Sequence, residues 1–313
     1  MKPTDSEKTI LVIKGIFYSN LLAFAGFALA HFIMHLNTGV GGVLIFSEFV
    51  LLPIGMGLVA VKYWRRFSDK TSSYFVWSLV NTLTGILLSA VFMGEGYICL
   101  LIVSPLILGF MWVGIAWGKY MYKQGRGKIR ASTFLLLLGI FVYDTFSEHH
   151  YENMVGDEMV VNAPPEVVWR YIGAHPENKT EPEYWLFKIG LPYPIQSTAG
   201  GDSIGVWRKC IFSNNAVFDE VVSEYEKYAR YTFDVTKQPD DPEIVGHIAI
   251  TRGQFILKEN PDGSTLLTGI SWYRLNVFPV WYYDLWAEDI TRKVHIRVME
   301  HIKILAENDK EKI

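Results

Sequence analysis

Along the first half of the chain, apolar residues run on without the regular polar interruptions of a soluble helix. Crossing a bilayer takes about 20 apolar residues, and four stretches reach that length: Ile16–Met34, Gly41–Val61, Tyr74–Met93 and Tyr97–Trp117. Each holds an isolated polar residue, namely Asn20, Glu48, Asn81 and Ser104. A fifth run over 129–146 is shorter. From Ala131 its helix would be about 24 Å long, and a snorkelling Arg130 extends it. It is read as a fifth span, with an interfacial or re-entrant segment as the alternative. Ala28-Leu29-Ala30 has the form of a signal-cleavage site, but the apolar stretch continues past it, so an uncleaved first helix is expected.

Residues 147–156 form a linker in this reading, and from Asp157 the pattern becomes that of a soluble domain. Met159 and Val161 alternate with polar neighbours as in a half-buried strand. Asn162-Ala163-Pro164-Pro165-Glu166 starts a helix, with proline where no N–H is needed and an acid in the first turn. His175–Pro194 is irregular. Strand-like segments follow at Ser203–Phe212, Ala216–Tyr225, Arg230–Thr236, Gly246–Lys258 and Ser264–Val277. Turn residues such as Asn260-Pro261-Asp262-Gly263 separate them. Val280–Glu307 reads as one long helix, with an apolar stripe at Trp286, Ile290, Val294, Val298, Ile302 and Leu305. A charged tail, 309–313, closes the chain.

Composition sharpens the division. The 313 residues are 50% hydrophobic and 19% charged, with a formal net charge of −3. Residues 1–150 carry about +5 and residues 151–313 about −8. An acidic soluble half argues against a nucleic-acid partner. Two cysteines, Cys99 and Cys210, make no disulfide framework. Basic residues cluster in the 62–70 and 119–130 loops, and none falls in 35–40 or 94–96. The positive-inside rule therefore puts the N-terminus and both basic loops in the cytoplasm. If the fifth helix spans, the C-terminal domain lies outside the cytoplasmic membrane. A bundle of this kind is also open to homo-oligomerisation.

The order strand, helix, antiparallel strands, long helix predicts an α+β fold: a curved sheet wrapped round its C-terminal helix, after a helical membrane bundle. Four segments carry a resemblance. Val160-Val161-Asn162-Ala163-Pro164-Pro165-Glu166-Val167-Val168-Trp169 resembles the opening of the START-like (SRPBCC, polyketide cyclase/dehydrase-like) helix-grip superfamily. Phe218-Asp219-Glu220-Val221-Val222 with Arg230-Tyr231-Thr232-Phe233 is similar to its middle strands. So is Gly263-Ser264-Thr265-Leu266-Leu267 with Trp272-Tyr273, and His301-Ile302-Lys303 matches the gripping helix. The resemblance covers about Asp157–Asn308 and implies a cavity for an apolar molecule. It does not fix the chemistry, because one fold hosts many functions.

Candidate pocket residues are Trp185, Phe218, Phe233, Trp272, Tyr273 and Tyr283, with the strand charges Arg208, Glu220 and Arg252 as polar anchors. Each has a plainer role as core aromatic or solvent-facing charge. Because side chains alternate, Arg208 and Phe212 share one face of their strand, and Trp207 and Ile211 the other. Nucleophile-elbow, zinc-protease, Walker and dinucleotide motifs are all missing, so no cofactor is expected. His175, His247, His295 and His301 have no acid at a telling spacing. A weaker metal constellation is His31, His35, Glu48, His149 and His150 near the outer ends of the spans. Interfacial polar residues explain it equally well.

The leading expectation is a membrane-anchored binder of a hydrophobic ligand (lipid, isoprenoid or polyketide-like), with membrane lipids as partners. A linker of about ten residues, at most about 35 Å when extended, would tether the grip beside the bilayer. The alternatives are a cyclase/dehydratase-type enzyme, with Glu220 and Arg208 as its acid–base pair, and a structural or sensory protein with an interaction module.

Overall fold

A computed structural model describes residues 4–36, 47–66, 70–93, 96–124, 131–146, 151–244 and 247–310. The chain divides into two compact units, the first holding residues 1–149 and the second essentially residues 150–313.

The first unit is helical: α1 (Asp5–Leu36), α2 (Leu52–Trp64), α3 (Thr71–Met93), α4 (Tyr97–Lys123) and α5 (Ala131–Phe146). Among the described residues, four segments are long and apolar enough to cross a membrane: Asp5–Ala30, Ser47–Trp64, Thr71–Phe92 and Tyr97–Lys123. The first helix starts well before its apolar run. Thr4 and Glu7 form a capping box there, each accepting a backbone N–H from the other. One π-helical turn, Ser47–Leu51, leads into α2. Its Ser47 N–H donates to the Asp144 carboxylate of α5 at 2.7 Å. Within the bundle, a polar cluster of three side chains bonds internally, as an apolar surrounding favours. Asn20 donates to Asn81 at 2.6 Å, and Asn81 donates to Ser19 at 2.9 Å.

Close approach of α2 and α4 depends on glycine. A Cβ on Gly57 would overlap the Met111 carbonyl oxygen, and one on Gly114 would overlap that of Ile54. Small residues at such contacts let two apolar helices pack backbone to backbone. Trp64, Tyr74, Met111 and Ile115 fill the bundle core beside this contact. Lys119 lies over the Tyr74 ring and Arg65 over that of Tyr122.

The second unit is a seven-stranded antiparallel sheet with a long helix. The strands are β1 (Tyr151–Val161), β2 (Pro194–Ala199), β3 (Trp207–Phe212), β4 (Val217–Glu226), β5 (Arg230–Lys237), β6 (Ile248–Glu259) and β7 (Thr265–Leu275). Short helices α6 (Pro165–Trp169) and α7 (Trp185–Lys188) precede β2, and α8 (Val280–Lys310) follows β7. The order is β1-β7-β6-β5-β4-β3-β2, so β2 to β7 form a meander and β1 returns to pair with β7. This is the α+β helix-grip layout.

Three details differ from the sequence pattern. The first strand begins at Tyr151, inside the segment read as linker. Its Tyr151–Gly156 stretch pairs in register with Leu275–Ile270, a partnership that local alternation cannot reveal. Pro194–Ala199 is a strand, not the end of a loop. It lies at the sheet edge, where a leading proline and a polar Gln-Ser-Thr run are tolerated. The third difference is the face that α8 buries. Its buried positions are Ala287, Thr291, His295, Arg297, Met299, His301, Ile302 and Ala306; of the apolar stripe read from the sequence, Ile302 is among them and the other five are only partly buried.

The core of this unit gathers at one end of the grip. Val161, Val168, Trp169, Ile172, Val222, Tyr231, Phe233, Phe255, Leu257 and Leu267 meet Met299, Ile302 and Ala306 of α8. Two strand glycines make room. The Phe233 ring occupies the place of a Cβ on Gly253, and the Met299 thioether crowds that of Gly269.

Gly114→Leu is expected to cost about 1–3 kcal/mol by overpacking the α2–α4 contact. A control, Gly109→Ala, adds a methyl that meets nothing within 4 Å and should be nearly neutral. Thermal unfolding of the full chain in detergent compares the two, and equal melting temperatures would refute the close-contact role.

Candidate functional site

The sheet-facing side of α8 changes character along its length. Its C-terminal half offers Met299, Ile302 and Ala306 to the apolar core. Its N-terminal half offers Asp284, Thr291 and His295 instead. Polar groups there need polar partners, and the strands at that end supply them. Tyr273 donates to Asp284 at 2.7 Å, and Asn153 donates to the same carboxylate at 3.1 and 3.2 Å. Tyr273 is almost wholly buried. Burial and the neighbouring carboxylate push its phenol pKa up, so it stays a donor.

About three turns further along, His295 is bonded through both ring nitrogens. Its Nδ1 lies 2.8 Å from Asp157 Oδ2, and its Nε2 lies 2.7 Å from Ser271 Oγ. A carboxylate only accepts, so Nδ1 carries the proton. Nε2 then presents a lone pair, and the Ser271 hydroxyl is the donor. Burial lowers the His295 pKa, with Asp157 opposing the shift, and keeps the ring neutral near pH 7. The other Asp157 oxygen accepts from Arg292 at 2.8 Å, and Arg292 also holds Glu288. The arrangement is therefore Arg292–Asp157–His295–Ser271, joining α8, β1 and β7.

A second face of α8 grips the segment 174–194. Asp289 accepts from Tyr184, Arg297 donates to the Thr180 carbonyl, and His301 contacts the Pro176 carbonyl at 2.9 Å. The His175 ring stands edge-on to His301 at 5.2 Å. Burial drives the His175 pKa down to about 4.

On the opposite flank of the sheet, Arg208 of β3 and Glu220 of β4 face inward, sit opposite each other in register, and form a buried ion pair. Arg208 also donates to the Gly173 carbonyl at 2.9 Å and covers the Phe233 ring at 4.3 Å. Burial raises the Glu220 pKa and Arg208 pulls it back. Cys210, on the same face, is pushed up to about 12 by burial and so remains a thiol. The two charges expected as an acid–base pair are thus bonded to one another.

The remaining expected pocket residues are dispersed. Phe218 and Phe233 are buried on the concave face, with Phe218 against Phe212. Trp185 is half exposed on α7 and meets Trp286. Tyr283 packs against Tyr282 in the first turns of α8. Arg252 and Trp272 do not face the helix. They are paired across β6 and β7 on the outer face, where Arg252 binds Asp234 at 2.6 Å. Plain alternation sets that orientation: Trp272 adjoins the inward-facing Tyr273, and Arg252 adjoins Gly253, which pairs with the inward-facing Ser271. An open cleft of about 490 Å³ runs there, lined by Met154, Asp234, Arg252, Trp272 and their neighbours, and it reaches Asn153 and Tyr273.

Of the weak metal constellation, the His31 and His35 side chains and residues His149 and His150 lie outside the described residues. Glu48 is buried in the π-helical turn. Among the described residues no group of three metal-ligating side chains occurs. The His295 chain escaped the sequence pattern because 138 residues separate Asp157 from His295. Only β1 pairing with β7 brings them together.

No family model matches the chain, and no curated protein matches it. Solved structures do align. A structural-genomics protein from Nitrosospira multiformis is 17% identical, with a TM-score of 0.35, covering 51% of this chain and 99% of that one. Truncated norcoclaurine synthase from Thalictrum flavum is 10% identical, with a TM-score of 0.35, covering 51% and 96%. A protein of unknown function from Staphylococcus aureus is 10% identical, with a TM-score of 0.38, covering 53% and 99%.

Two outcomes follow for stability. Glu220→Leu strands a buried guanidinium and is expected to cost about 3–5 kcal/mol, whereas Arg208→Met combined with Glu220→Leu should recover most of that loss. Denaturant unfolding of the full chain in detergent decides; a double variant no better than the single one refutes the pairing argument. For pH, His175 has a depressed folded pKa, so its contribution is complete above about 6.5 and is lost as pH falls through about 4. The loss is about 3 kcal/mol. His247 and His295 are shifted in the same direction. Hydrogen exchange of β2 and β3 amides, corrected for intrinsic rates, should show protection falling over that window. His175→Gln should flatten the dependence.

Proposed function

We propose that this chain is a multi-pass membrane protein whose grip binds an amphipathic, lipid-like molecule. Its apolar part would lie against the aromatic concave face, and its polar end would meet Asn153, Tyr273 and Asp284. One observation carries this reading. The helix and sheet meet through apolar side chains at one end of the grip and through hydrogen-bonding side chains at the other. Burying polar groups stabilises a fold little by comparison with apolar contact, so a polar lining over half the interface fits recognition better than packing. Ligand sites of this kind combine apolar walls with a few fixed polar groups.

The bundle supports the membrane assignment. Basic residues in the 62–70 and 119–130 loops favour a cytoplasmic N-terminus. The cations Arg65 and Lys119 rest on aromatic rings, as befits residues at a membrane–water interface. In this reading α5 crosses, the grip is extracytoplasmic, and the short connection from α5 to β1 tethers it. A second reading, an enzyme of cyclase/dehydratase type, is favoured by one observation: a neutral His295 oriented by Asp157.

The test is mass spectrometry of molecules that co-purify with the full chain in detergent. A defined amphipathic species near one per chain is expected. Tyr273→Phe combined with Asn153→Ala should weaken its retention roughly tenfold, the value of about one hydrogen bond. No species enriched over the bulk lipid extract, or one equally retained by the double variant, would overturn the assignment.

A further inference from the structure

We infer that Ser271 is a nucleophile, activated by His295 and Asp157, and that the grip carries out acyl transfer from an ester or thioester with an apolar acyl chain. Three side chains from three elements, β1, β7 and α8, meet in a linear order of carboxylate, imidazole and hydroxyl. The two heavy-atom distances are 2.8 and 2.7 Å. Triads are recognised by this geometry and by the roles it imposes; unrelated folds present them in different chain orders. The order here is Asp, Ser, His.

The hydrogen-bond directions agree with those roles. Asp157 fixes the tautomer by accepting from Nδ1. Nε2 is left to accept the Ser271 proton, which is what a general base must do. Arg292 anchors Asp157 through its second oxygen. His295 is only 7% exposed, whereas Ser271 is partly exposed. The base is thus shielded, and the residue that carries the hydroxyl keeps some exposure. Ser271 lies in register opposite Val155 on one side and Gly253 on the other. The Phe233 ring covers Gly253, and Met299 covers Gly269, two residues before Ser271. The hydroxyl therefore stands among apolar side chains, which suits an aliphatic acyl group.

In the reaction, Ser271 Oγ bonds to the acyl carbon and its proton passes to His295 Nε2. The bond from the acyl carbon to the leaving oxygen or sulfur then breaks, and that atom takes the proton from Nε2. Water next attacks the acyl-serine. His295 accepts its proton and returns it to Oγ, releasing the carboxylic acid.

The choice of an apolar acyl chain rests on the binding reading above; the nucleophile itself does not. The experiment is labelling of the full chain in detergent with an alkyl fluorophosphonate, followed by intact mass and peptide mapping. One adduct per chain on Ser271 is expected, and none in Ser271→Ala. Asp157→Asn, which favours the wrong tautomer, should slow labelling at least 100-fold, and Asp157→Glu should restore part of it. His295→Gln should slow it at least as much. Each variant is compared in thermal unfolding, so that loss of fold is separated from loss of reactivity. A folded wild-type chain that is unlabelled, or labelled equally in Ser271→Ala or Asp157→Asn, overturns the inference. Retention of a lipid by such an unlabelled chain would leave binding intact and refute the nucleophile alone.

Discussion

The rotation of α8 about its own axis governs the second unit, and His295 is the residue that fixes it. An imidazole bonded through both nitrogens to β1 and β7 allows little freedom of roll. With His295 against the sheet, positions one helical repeat away must also face inward. Thr291 and Ala287 follow toward the N-terminus, and Met299, Ile302 and Ala306 toward the C-terminus. Asp289, Arg297 and His301 then point to the segment 174–194 and hold it. Thus a single orientation closes the apolar core, creates the polar end and orders the long loop.

The same division explains why the two buried polar groupings play different parts. Arg208 and Glu220 satisfy each other inside the sheet's far flank, with Gly173 and Phe233 completing the guanidinium's surroundings. Charges so enclosed are occupied. The His295 chain ends on a hydroxyl that donates into the imidazole, and the oxygen keeps lone pairs of its own. That is chemical capacity directed toward the partly exposed end of the grip. In the bundle, Asn20, Asn81 and Ser19 play the enclosed part again, linking α1 to α3.

Much of the architecture was legible in the chain. Four long apolar helices, the turn residues, six of the seven strands and the long last helix all follow from local periodicity and composition. Each is set by residues within a turn or two of one another. The strand at Pro194–Ala199 was not legible, because an edge strand needs neither alternation nor apolar residues. Nor was the extension of β1 back to Tyr151, which exists only through its pairing with β7. Among the site residues, Arg208 and Glu220 showed as charges within strands, but their mutual bond depended on the β3–β4 register. Arg252 and Trp272 carried the same signal and ended on the outer face, because each adjoins a residue whose position faces inward, Gly253 and Tyr273.

The sequence by itself determined an apolar basic half, an acidic half of strands and one long helix, and an antiparallel order with too few cysteines for disulfide support. These are matters of hydrophobicity and local dihedral preference, which neighbouring residues decide. Only the tertiary structure decided which face of α8 lies against the sheet. It also decided that Asp157, Ser271 and His295 share one hydrogen-bonded line, and that Arg208 is spent on Glu220. Those outcomes depend on sheet register and helix roll, and both are fixed by contacts between residues distant in the chain.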